Sequence, residues 1–175
     1  MALLKHIPLI AVHMLIYGGL WAVVGSDGTI GTLAFGALLI WVSCRDIAIF
    51  EVPDVAVFLL IILGVGTAPD LAWAVGSVLL WAAIFLAVRT GARSVLGQEA
   101  LGLGDVKLMA GLAAWLGPLA PVYVILYASV SAILTLVALT RVKREKLSDI
   151  SGTGIAFGPF LCLSAWGIWL WGPGF

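Results

Sequence analysis

Charged residues are scarce in this sequence. Only 10% of its 175 residues are charged and 63% are apolar, with a mean hydropathy of +1.19, whereas a soluble domain carries about 25% charged residues. This composition excludes a water-soluble globule. Nine Lys and Arg balance nine Asp and Glu, so there is no basic surplus to bind nucleic acid. The expected solvent is a lipid bilayer.

Cysteine and histidine are scarce as well. Cys44 and Cys162 form no CxxC pair, which excludes a zinc ribbon and a disulfide framework. His6 and His13 could share a helix face, but no third ligand lies near them in the sequence. We therefore predict no metal site and no cofactor. The sequence also has no HExxH and no GxSxG motif, which argues against zinc and serine hydrolases.

Long apolar runs, by contrast, fill most of the chain, and one bilayer crossing needs about 20 apolar residues. Runs bounded by Gly, Pro and charge predict seven crossings, with six as the alternative, near 7–24, 28–45, 54–68, 71–88, 106–117, 119–140 and 153–172. We predict an all-α, polytopic membrane helix bundle that forms one domain over residues 1–175. The fifth run spans only about 18 Å, so its flanking loops must extend it or the bundle must enclose it.

The basic residues predict the orientation, because short cytoplasmic loops retain Lys and Arg. In this layout all nine cations fall on one side: Lys5, Arg45, Arg89, Arg93, Lys107, Arg141, Lys143, Arg144 and Lys146. We expect a cell-membrane protein of the inner membrane with a cytoplasmic N-terminus. Residues 1–25 could alternatively be a signal peptide, but they contain no clear A-x-A site.

Seven carboxylates lie on the predicted cytoplasmic face, and two of them, Glu145 and Asp149, sit among four cations as a solvated charge run. The other five are Asp46, Glu51, Asp54, Glu99 and Asp105. Acids near hydrocarbon are costly, which makes this group the candidate for chemistry. Two carboxylates held together can share one proton, so that one activates water while the other donates to a carbonyl. Asp46 and Asp105 are 59 positions apart, so only tertiary packing could bring them together.

The neighbours of these acids leave structural alternatives open. Asp46 is predicted at the end of the second helix, and Asp54, which follows Pro53, could simply cap the third. Gly102 and Gly104 permit close backbone approach before an acid that opens the fifth helix, although Asp105 could be only its N-cap. Lys107 is most simply an anchor whose ammonium reaches the membrane surface.

Taken together, three stretches resemble the type IV prepilin peptidase family of GxGD membrane aspartic proteases. They are the D-x6-P-[DN] spacing from Asp46 to Asp54, the run Glu99–Leu108 that contains the GxGD motif, and Phe157-Gly158-Pro159-Phe160-Leu161. The resemblance covers residues 28–172. It implies that Asp46 and Asp105 are a catalytic pair that cuts the leader from prepilins or pseudopilins at the cytoplasmic face.

The details of the resemblance refine this expectation. The chain has Val52-Pro53-Asp54 where the family often has Ile-Pro-Asn, which adds an acid. The CxxC-bearing insertion of larger members does not occur in this sequence, so we expect peptidase activity without methyltransferase activity. The compact form looks like the peptidases of Tad/Flp pilus systems. Helix dipoles would favour a protonated Asp46 and an ionised Asp105, which makes Asp105 the expected base.

Substrate recognition is predicted only in outline. A prepilin leader is basic and continues into an apolar helix, so Glu51, Asp54 and Glu99 could attract its cations while the bilayer holds the helix. The sequence also fits two other functions. One is a small transporter or channel with intramembrane acids, and the other is a pilus-assembly scaffold whose acids only cap helices.

Overall fold

The computed structural model describes residues 7–24, 29–97, 101–143 and 156–172. These residues form seven helices and no strand: α1 (Ile7–Val24), α2 (Ile30–Ile49), α3 (Asp54–Thr67), α4 (Leu71–Leu96), α5 (Leu103–Leu116), α6 (Ala120–Lys143) and α7 (Gly158–Trp171). The predicted all-α bundle is confirmed. Helical segments in α2, α4 and α6 are long and apolar enough to cross a membrane, and α1, α3 and α7 are shorter apolar helices.

The second helix extends further than the sequence suggested. It continues through the apolar residues 47–49 to Ile49, so Asp46 lies in the last turn of α2 rather than at its final residue. Phe50 stops the helix by adopting a left-handed conformation (φ 54°), and its N–H donates to the Asp46 carbonyl at 2.8 Å. The helix continues because residues 47–49 contain no breaker, and the extended connection before Pro53 begins only after Phe50.

The short fifth helix lies at the centre of the bundle. Val106 and every residue from Leu108 to Ala114 are buried, and α5 packs closely on α3 and α4. A Cβ added at Gly111 would lie 3.1 Å from the Cβ of Leu60, so glycine sets the close approach of α3. The neighbouring helices therefore enclose α5, which is one of the alternatives that its short length left open.

Aromatic side chains join α2, α5 and α7 at the end of α2 that lies far from Asp46. Phe35 stacks on Trp115 with ring centroids 4.8 Å apart, and Trp169 meets Phe35 edge-on at 5.4 Å. The indole N–H of Trp169 donates to the Thr32 hydroxyl at 3.3 Å. This cluster fixes the three helices together at one end of the bundle.

Candidate active site

Asp46 is the more enclosed of the two predicted catalytic carboxylates. Its side chain projects from α2 and the residue is only 7% exposed. Oδ2 accepts the backbone N–H of Gly158 at 2.9 Å, and Gly158 is the first residue of α7. The N-terminus of a helix carries unpaired N–H groups and partial positive charge. This contact therefore favours the ionised form of Asp46.

Asp105 lies in the first turn of α5, whose N-cap is Gly102. The backbone N–H of Gly102 donates to the Asp105 carboxylate. An acid at the third helical position that reaches back to the N-cap is one half of a capping box. Asp105 is therefore not the N-cap residue that the sequence left open, although its carboxylate does help to start the helix.

The two carboxylates lie at the same end of the bundle and influence each other. The pKa of Asp105 is raised to about 6. Burial is the main cause and the negative charge of Asp46 adds to it, while the Gly102 N–H acts in the opposite direction. An interaction between like charges on α2 and α5 needs close approach in a poorly solvated space. Residues that are 59 positions apart in the sequence thus share one electrostatic site.

A side chain at either glycine of the GxGD motif would meet close neighbours. A Cβ at Gly104 would lie 3.1 Å from Cγ2 and 3.2 Å from Cβ of Val52, and one at Gly102 would lie 3.3 Å from Oδ2 of Asp105. Val52 is buried, so the connection between α2 and α3 lies directly against the first turn of α5. Gly104 thus allows the backbone of α5 to lie close to the α2–α3 connection.

Asp54 does not cap α3, which corrects the sequence interpretation. The N-cap is Pro53, which makes no side-chain cap bond, and Asp54 is the first residue of the helix. Its Oδ1 lies 2.6 Å from Nζ of Lys107. This ion pair joins the start of α3 to α5. Lys107 is therefore more than an anchor at the membrane surface, because it also pairs with Asp54.

Glu51 and Glu99 are the two remaining acids that the sequence singled out, and only Glu51 lies in the part of the chain that the structure describes. Glu51 lies 3.7 Å from the guanidinium of Arg45, and both side chains are well exposed. Exposed pairs of this kind are weak and are screened by salt. The Glu51 carboxylate can therefore exchange Arg45 for another cation at little cost in free energy. Glu99 lies outside the described residues.

Sequence reasoning missed two residues at this site. Gly158 was visible only as part of the Phe157–Leu161 motif, and nothing in that motif indicated that its N–H meets Asp46. Arg89 of α4 donates a hydrogen bond to the carbonyl of Leu101, which ties the start of the GxGD segment to the bundle. Its only sequence signal was a cation on the predicted cytoplasmic face.

The arrangement suits acid–base chemistry. One carboxylate accepts a hydrogen bond from a helix N-terminus, which favours its ionised form, and its neighbour keeps a proton to higher pH than an ordinary aspartate. Environments that separate two carboxylates in this way assign them different roles. Across the described ranges, no group of three or more His, Cys, Asp or Glu side chains is placed to hold a metal ion.

Comparison with known proteins decides the family. The sequence model of the type IV leader peptidase family matches residues 33–137. The chain belongs to this family. Membership implies a protease and confirms the resemblance that the acidic motifs suggested. The matched region contains Asp46 and Asp105, whereas α1 and Gly158 lie outside it.

Curated relatives of this leader peptidase family member are named prepilin leader peptidase/N-methyltransferase. The protein from Stutzerimonas stutzeri is 39% identical over 99 residues, which cover 56% of this chain and 31% of the relative. The one from Xanthomonas campestris pv. campestris is 31% identical over 153 residues, covering 81% of this chain and 50% of the relative. The chain thus spans half or less of the length of these relatives. No solved structure matches it significantly.

Proposed function

We propose that this protein is a prepilin leader peptidase that uses Asp46 and Asp105 to activate one water molecule. The observation that carries the proposal is the electrostatic coupling of a buried and a half-buried carboxylate. The buried Asp46 meets a helix N-terminus, while the half-buried Asp105 has a pKa of about 6. Family membership supplies the reaction class. The two residues lie in the two motifs that resemble the family's catalytic stretches.

The proposed reaction begins with one proton on the pair, carried by Asp105. The ionised Asp46 takes a proton from water as the water oxygen attacks the scissile carbonyl carbon, and Asp105 donates its proton to the carbonyl oxygen. The tetrahedral intermediate then collapses, the C–N bond breaks, and a proton from Asp46 passes to the leaving amine. As the new carboxylic acid forms, one hydroxyl group of the intermediate returns its proton to Asp105, which restores the pair with each carboxylate having acted once as an acid.

This division of roles reverses the one expected from the sequence. The expectation that Asp105 is the base assumed that Asp46 ends α2 and feels the negative end of that helix. Asp46 does lie in the last turn of α2, but its carboxylate also accepts the first N–H of α7. The positive helix end therefore acts on Asp46, which supports Asp46 as the base and Asp105 as the initial proton donor.

The proposed substrates are Flp-like prepilins or pseudopilins, cut at the cytoplasmic face of the inner membrane. The three long apolar spans support a membrane location, and the distribution of Lys and Arg supports the orientation. We propose that Glu51, together with Glu99, attracts the basic leader. Asp54 already has Lys107 as a partner, so its part is to position α3 against α5.

The names of the relatives also include N-methyltransferase activity. The paired CxxC motifs that accompany this activity in larger family members do not occur in the 175 residues. We therefore propose only the peptidase reaction for this chain.

Co-expression with a Flp-like prepilin or with a pseudopilin tests the proposal. The wild type should convert the precursor to a faster-migrating form on a gel, and Asp46→Ala and Asp105→Ala should leave the precursor uncut. The matched control is Asp70→Asn, because Asp70 caps α4 through a hydrogen bond from the Trp73 N–H and Asn keeps that bond. An uncut precursor in the presence of the wild type would favour the transporter or scaffold interpretation, and full processing by Asp46→Ala would contradict a catalytic role for Asp46.

A further inference from the structure

A second set of polar contacts lies beside the Asp46 contact, deeper in the bundle. The hydroxyl of Ser43 on α2 lies 3.4 Å from the phenol oxygen of Tyr17 on α1, and the thiol of Cys162 on α7 approaches the same hydroxyl. All three side chains are buried, with residue exposures of 1%, 0% and 3% for Ser43, Cys162 and Tyr17. The proposed reaction does not use any of them.

The spacing relates this cluster to the catalytic contact. Ser43 lies three residues before Asp46, and Cys162 lies four residues after Gly158. These intervals correspond to axial rises of about 4.5 and 6 Å. The Asp46–Gly158 and Ser43–Cys162 contacts are therefore successive links between α2 and α7, one helical turn apart. The indole N–H of Trp166 on α7 donates to the Tyr17 carbonyl at 3.0 Å and ties α1 to the same links.

We propose that Tyr17, Ser43 and Cys162 form a positioning cluster that holds the first turn of α7 against Asp46. The inference rests on the proposed function of Asp46. A serine hydroxyl can donate one hydrogen bond and accept others, so Ser43 serves both partners at once. Buried polar groups without partners are costly, so the cluster selects the one register of α7 in which all three are satisfied.

Asp46 needs such support because Gly158 has no side chain with which to fix its own position. A hydrogen bond from N–H to carboxylate weakens as it lengthens or bends. When α7 shifts, Asp46 loses the donor that favours its ionised form. Ser43 is thus a positioning residue that acts through Gly158 and does not touch the reacting atoms.

The test uses the purified full chain and a synthetic prepilin peptide. Ser43→Ala should lower kcat about fivefold to tenfold, leave KM within about twofold, and move the acid limb of the kcat/KM profile up by about half a pH unit. Cys162→Ala should reproduce these changes. Cys162→Ser, which keeps a hydrogen-bonding group, should restore most of the wild-type profile. The Ser43→Ala/Cys162→Ala double variant should be no worse than either single variant, because both break one link.

The matched control removes a link between the same helices at their other end. Thr32→Val deletes the hydroxyl that Trp169 uses while keeping the volume of the side chain, and it should leave the pH profile unchanged. Tyr17→Phe provides a third variant of the cluster if Ser43→Ala does not fold. An unmoved profile in Ser43→Ala and Tyr17→Phe, or an equal shift in Thr32→Val, would overturn the positioning role. Continued cleavage by Asp46→Asn would instead contradict the proposed catalytic role of Asp46, on which the positioning cluster depends.

Discussion

The backbone N–H of Gly158 donates to Oδ2 of Asp46 at 2.9 Å, across 112 positions of the chain. The contact places the N-terminus of α7 on a buried carboxylate of α2. It explains why position 158 is glycine, since a Cβ there would lie 2.7 Å from Oδ2 and 3.1 Å from Cγ of Asp46.

Gly158→Ala should lower kcat by roughly 10- to 100-fold, because the methyl group would push α7 away from the carboxylate and lengthen the hydrogen bond. Gly167→Ala is the matched control on the same helix, since a Cβ at Gly167 meets nothing within 4 Å. Steady-state cleavage of a prepilin peptide measures both variants. Equal activity of the two alanine variants would contradict a role for the Gly158 contact.

Gly104→Ala should also impair cleavage, by about tenfold or more. Its Cβ would press on both Cγ2 and Cβ of Val52, and a buried β-branched side chain cannot rotate away from both contacts. The first turn of α5, which carries Asp105, would shift. Gly91→Ala on α4 is the control, because its Cβ would enter open space. A Gly104→Ala enzyme as active as Gly91→Ala would exclude a close-packing role for this glycine.

The pH dependence of kcat/KM should show the loss of the shared proton. Because the pKa of Asp105 is about 6, the pair loses that proton as the pH rises through about 6, and kcat/KM should then fall about tenfold per pH unit. The apparent pKa belongs to the pair rather than to one residue. A profile that stays flat between pH 6 and pH 8, with the enzyme still folded, would contradict a proton donor at this site.

Asp105→Asn should abolish cleavage yet raise the melting temperature at pH 8. The folded state holds the Asp105 proton to about pH 6, above the ordinary value of 3.8, so the unfolding free energy of the wild type falls as the pH rises between these values. Asparagine removes this charge but keeps an acceptor for the Gly102 N–H. The gain should shrink as the pH falls toward 4.

Asp54→Asn is the matched control for this stability measurement, because Asp54 is exposed and paired with Lys107. It should give no gain at pH 8. If Asp105→Asn melts no higher than Asp54→Asn at that pH, the charge of Asp105 does not oppose folding.

The sequence predicted the helices and the candidate acids better than it predicted their contacts. Apolar runs bounded by Gly, Pro and charge predicted α1 with its observed bounds, and they showed that α5 was too short to cross alone. The motifs pointed to Asp46 and Asp105, which the structure brings to one electrostatic site. Their local signals are strong because a buried acid in a membrane helix is rare.

The sequence could not predict which contacts the backbone makes. The end of α2 was placed too early because an apolar run after Asp46 fits both a helix and a segment packed on the bundle. The N–H of Gly158 carries no residue-specific signal, and its contact with Asp46 depends on how α7 packs on α2. The assignment of the base changed with this contact, since a helix dipole acts only over its terminal turn.

The most direct measurement is single-turnover cleavage of a prepilin peptide by purified wild type, Asp46→Asn and Asp105→Asn, with melting curves to verify folding. We expect each folded single variant to lose about 10²-fold or more in rate, and the double variant to lose little beyond that because the two carboxylates act as one unit. Near-wild-type cleavage by either folded variant would contradict the two-aspartate account.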